Sequence, residues 1–262
     1  MMIMLKVQIL HFMKKVEYLE EILEKKAIVP RYCKEDLEYL NIEDGKNSFI
    51  EAFVLQKCFC DIPFHKLTES FQLQATGDNY LNEHSQYTKN LSNLINQVLN
   101  LDNVPDAYVD DVLNRLSFVK PLRGIMKRKF KRDDGIDVEI DFQKNFHDEH
   151  EWRYVPSIDV ASVLQKDTVI ANPYLLKMNG KGVDISTGLS EEKYDLLWLK
   201  YSYEDVRYII VPDGNARIDI INTIMSISDD KFSNQSDVAI QKYILISKIL
   251  VLEEIRNLMN NF

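Results

Sequence analysis

Apolar residues recur at helical spacing in two well-separated stretches. Val16, Leu19, Ile22 and Leu23 fall on one face, which predicts a helix over about Val16 to Lys25 that Pro30 ends. Leu91, Leu94, Ile95, Val98 and Leu99 form a second stripe, inside a mostly helical stretch from Lys66 to about Leu116 with loops near Gly77 and Pro105. Short apolar runs predict buried strands at Val7 to Phe12, at Phe53 to Phe59 closed by Pro63, and at Tyr208 to Val211, where Pro212-Asp213-Gly214 makes a turn. Lys193 to Lys200 predicts a strand or a short helix. Helices near Arg217 to Ile227 and Val238 to Met259 close the chain. Residues 31 to 48 are polar and turn-rich, and Asn172 to Gly188 reads as loop.

Ile125 to Phe142 predicts a hairpin with a definite register. The loop Asp133-Asp134-Gly135 places glycine where a left-handed backbone is needed. Lys131 then faces Asp137, Lys129 faces Glu139 and Lys127 faces Asp141, while Phe130 meets Val138 and Met126 meets Phe142. Cross-strand pairs of opposite charge contribute a few tenths to about 1 kcal/mol each. The basic run Lys127-Arg128-Lys129-Phe130-Lys131-Arg132 is also a nucleic-acid candidate, but the neighbouring strand supplies its counter-charges.

No internal repeat and no Pro/Gly/Ser linker divides the chain. The expected fold is α+β: one mixed α/β domain over residues 1–262 with a central, mainly antiparallel sheet, a helical insertion at about 66–118 and a C-terminal helix at about 238–259. The 45% hydrophobic and 28% charged content of these 262 residues is that of a globular protein. A net charge of -9 argues against bulk attraction to nucleic acid or to anionic membrane. Met1-Met2-Ile3-Met4-Leu5 is interrupted by Lys6, and neither a signal peptide nor an 18-residue apolar run is visible, so a cytoplasmic, reduced protein is expected. Three cysteines do not make a disulfide framework. Cys58, Cys60 and His65 have the wrong spacing for a common zinc site, so no metal is expected, and Gly180-Lys181-Gly182 is too short for a phosphate loop.

Candidate chemistry concentrates in Phe146-His147-Asp148-Glu149-His150-Glu151-Trp152-Arg153-Tyr154-Val155-Pro156. Alternating large side chains make its tail a strand, on which Glu149 and Glu151 share one face. Two carboxylates so close require a cation or a ligand between them. A cluster of surface ion pairs with Arg153 meets the same demand. Trp152 and Tyr154 read as strand residues of the core, expected to be largely buried beside Cys58 to Ile62.

Several stretches together resemble the AbiGi-type proteins of bacterial abortive-infection systems. They are Leu10-His11-Phe12 with the spaced Leu19, Ile22 and Leu23, then Pro30-Arg31-Tyr32-Cys33, and the distinctive Cys58-Phe59-Cys60-Asp61-Ile62-Pro63. Glu149-His150-Glu151-Trp152-Arg153-Tyr154-Val155-Pro156 and the weaker Asp205-Val206-Arg207-Tyr208-Ile209-Ile210-Val211 complete the set, in family order. The Tyr-Gly stretch that members carry after the Cys-Phe-Cys-Asp-Ile-Pro motif is absent here. The resemblance implies phage defence, with this chain as the antitoxin-like partner of a toxin.

The layout also resembles, more distantly, that of ADP-ribosyltransferases, in which a first-strand His or Arg holds NAD and a strand glutamate stabilises the oxocarbenium-like sugar as nicotinamide leaves. This likeness implies that His11 binds NAD, Glu151 is the catalytic carboxylate, Glu149 orients the acceptor, and Phe12 and Tyr154 wall the cleft. Set beside it is a structural reading, in which His11 is a hydrogen-bonded residue among apolar neighbours and the cofactor is none.

Overall fold

The computed structural model describes residues 2–5, 10–44, 47–60, 80–82, 84–131, 137–146, 151–170, 185–233 and 237–259. It opens with strands β1 (Met2–Leu5) and β2 (Leu10–Phe12), helix α1 (Val16–Lys25), and strands β3 (Arg31–Asp36) and β4 (Glu51–Cys60). Helices α2 (Gln86–Leu99) and α3 (Asp106–Asn114) follow, then strands β5 (Arg123–Lys131), β6 (Asp137–Asn145) and β7 (Glu151–Tyr154). Strand β8 (Val206–Val211), helices α4 (Gly214–Ser226) and α5 (Val238–Ser247), strand β9 (Ile249–Val251) and helix α6 (Leu252–Met259) finish the chain. The fold is α+β, with mainly antiparallel pairing. Two compact units divide it: residues 1–30, 57–74 and 188–262 form one, residues 31–56 and 75–187 the other.

In the first unit β1 is the inner strand. It pairs antiparallel with β2 (Ile3↔His11) and with β8 (Ile3↔Ile209), and β9 joins β8 in parallel through Ile209↔Ile249. Met2, Met4, Ile210 and Leu252 pack into one buried cluster. Helix α1 keeps the predicted bounds, and Leu19, Ile22 and Leu23 are its buried face. Its end is not set by Pro30. Lys26 adopts a left-handed φ of 54° and stops the helix, after which Ala27–Ile28 already runs as a strand. The last carbonyls of α1 are then capped from afar: Tyr201 donates to Ile22 O at 3.0 Å, Tyr203 to Leu23 O at 2.6 Å, and Lys231 to Glu24 O.

The single C-terminal helix expected over 238–259 is broken. Ile249–Val251 leaves the helical path and adds to β8 as a strand. An unbroken apolar run fits a buried strand as well as a helix, and here the open edge of β8 takes it. Of the first strand expected over Val7 to Phe12, Leu10–Phe12 is a strand that follows the separate β1, and residues 6–9 lie outside the described residues.

In the second unit the polar stretch after Pro30 is a strand rather than turns. β3 pairs with β4 from Arg31↔Gln56 to Asp36↔Glu51, and Val169–Ile170 also pairs with β4. Leu37, Leu40, Ile42, Ala52, Ile95, Val112 and Leu116 share one core, against which Leu91, Val98 and Leu99 of α2 pack. Leu94, assigned to the same stripe by spacing, is 42% exposed on the far side. The Asn-rich side of α2 has its own role. Asn96 accepts the Glu43 N–H at 2.7 Å and donates to Asn41 O at 3.1 Å, and Asn100 donates to Glu43 O at 2.8 Å. Side-chain amides thus satisfy the backbone of the short strand Ile42–Asp44.

The β5–β6 hairpin has the predicted register throughout: Lys131↔Asp137, Lys129↔Glu139, Lys127↔Asp141, Phe130↔Val138 and Met126↔Phe142. It runs further than predicted, from Arg123↔Asn145, and the turn at 133–135 lies outside the described residues. Among the described residues no helix is long and apolar enough to cross a membrane.

Candidate functional site

Strand β7 carries the candidate segment, and its alternation has the opposite phase from the one expected. Trp152 is 58% exposed, whereas Glu151 and Arg153, two apart on the other face, have side chains that are 0% exposed. The aromatic residue was expected in the core. The strand instead turns its charged face inward, because buried counter-charges are waiting there.

The guanidinium of Arg153 organises that interior. Its Nε donates to Glu151 Oε1 at 3.2 Å, its Nη2 to Glu35 Oε2 at 3.1 Å, and its Nη1 to the Ser117 carbonyl at 3.0 Å. Gln56, on β4, donates through Nε2 to the other Glu35 oxygen at 2.5 Å. Two carboxylates therefore share one planar fork, a geometry that arginine provides and lysine does not. Tyr39 borders the cluster. Burial pushes its hydroxyl well above the usual phenol range, opposed by the Arg153 charge and reinforced by Glu35 and Asp36. Chemically, this is an ion-paired core in which each named charge is held by a fixed donor, and it ties together β3, β4, β7 and the 3-10 turn Arg115–Phe118.

The remaining sequence candidates fall elsewhere. Glu149 lies outside the described residues. Tyr154 is half-buried, and burial raises the pKa of its hydroxyl. His11 belongs to the first unit, on β2. It is 8% exposed, its Nδ1 lies 2.9 Å from the Cys58 carbonyl, and its ring is tilted against Phe59 at 5.6 Å. Phe12, next on the strand, pairs with Met2. Cys33, Cys58 and Cys60 are not joined in disulfides. Among the described residues no group of three His, Cys, Asp or Glu side chains is placed to hold a metal ion.

Glu35, Gln56, Tyr39 and Ser117 were missed by sequence reasoning. Gln56 alone carried a signal, since a polar residue following Ala52-Phe53-Val54-Leu55 in a buried strand needs a polar partner. Glu35 looked like one more surface charge in Arg31-Tyr32-Cys33-Lys34-Glu35-Asp36.

Compared with known proteins, the chain is 33% identical over 263 residues to the "Abortive phage resistance protein AbiGi" of Lactococcus lactis subsp. cremoris, covering 88% of this chain and 98% of that relative. No family model matches it, and no solved structure matches it. Similarity of that level over nearly the whole of both chains places this protein: it belongs to the AbiGi family.

Proposed function

We propose that this chain is a phage-defence protein of the abortive-infection type, acting in the reducing cytoplasm of a bacterium as the antitoxin-like partner that restrains a toxin. The observation that carries the reading is coextensive similarity, 88% of this chain against 98% of a relative named for abortive phage resistance. The chemistry of the buried cluster is compatible with it. Glu151 and Glu35 are both ion-paired to the one guanidinium of Arg153 inside the second unit, as in a scaffold that works through its surface.

The test is genetic and direct. The chain is expressed in a phage-sensitive bacterium with and without the product of the gene beside it, and both growth and plaque formation are measured. Restraint predicts that the neighbour alone arrests growth, that this chain relieves the arrest, and that only the pair reduces plaques. Growth arrest by this chain alone would overturn the reading. The NAD-consuming alternative rests on layout, with His11 on β2 and Glu151 on β7.

A further inference from the structure

We draw no further inference here: the strongest candidate, the outward apolar stripe of Ile240, Tyr243 and Ile244 on helix α5, is an exposed helix face, and nothing among the described residues shows what covers it.

Discussion

Arg153 Nη2 lies 3.1 Å from Glu35 Oε2, joining residues 118 apart in the chain whose side chains are 0% and 7% exposed. Breaking one member of a buried charge cluster leaves uncompensated charge, which costs about 3–5 kcal/mol. Arg153→Leu is therefore expected to lose that much stability in urea unfolding. Arg153→Lys keeps the charge without the fork, and falls between the variant and the wild type. A midpoint for Arg153→Leu within error of the wild type would show that the cluster carries no such energy.

Trp152→Ala is expected to be mild. A core tryptophan truncated to alanine costs about 3–5 kcal/mol, and exposed positions stay near 0.5 kcal/mol. At 58% exposure Trp152 belongs with the second group. Thermal unfolding of the two neighbours side by side, Trp152→Ala and Arg153→Leu, should reverse the order that residue size alone gives.

The contrast between these two residues shows where sequence reading stops. Helix α1 was legible to the residue because its stripe is unambiguous and its buried face, Leu19, Ile22 and Leu23, is wholly apolar. The hairpin register was legible because opposite charges and a three-residue loop allow one alignment. On β7 the period of two was legible but its phase was not, since the inward choice depends on Glu35 and Gln56, far away in the chain. β3 was hidden for the same reason: a buried glutamate looks like a surface one until its partner is in place. Ile249–Val251 was hidden because an apolar run does not tell helix from strand.

Alkaline pH should weaken the cap on α1. Burial raises the pKa of both Tyr201 and Tyr203 above the usual phenol value, and each hydroxyl donates to a carbonyl of the helix. With the folded-state values raised, this stability is fully present below the unfolded value of about 10 and is lost as pH rises from there through the folded values. Urea midpoints measured from pH 8 to 11 should fall above about pH 10. Tyr201→Phe should be less stable at pH 8 and show a flatter fall. An identical slope in the variant would remove Tyr201 from the account.

The lysines of β5 are not expected to bind nucleic acid. Lys127, Lys129 and Lys131 sit in register with Asp141, Glu139 and Asp137, so the strand that could attract phosphate is paired with its own counter-charges. Anisotropy titrations with single- and double-stranded RNA and DNA at physiological salt should give no tight binding. Tight binding that disappears in Lys127→Ala/Lys129→Ala/Lys131→Ala would reverse this.

Glu151→Gln separates the scaffold from an NAD-consuming enzyme. The substitution keeps the shape and removes the charge of a side chain that is 0% exposed and 3.2 Å from Arg153 Nε. If Glu151 is an ion-pair partner, the loss is one of stability: Arg153 keeps Glu35, so the cost should be smaller than that of Arg153→Leu, and double-mutant cycles between Glu151 and Arg153 should show coupling. If Glu151 stabilises an oxocarbenium-like sugar, the loss is one of turnover, with folding intact. Nicotinamide release from NAD by the purified wild type, alone and with bacterial lysate as acceptor, decides between them. The scaffold predicts no release in either assay and a lowered melting temperature for the variant. Release by the wild type that Glu151→Gln abolishes, at an unchanged melting temperature, would establish the enzyme.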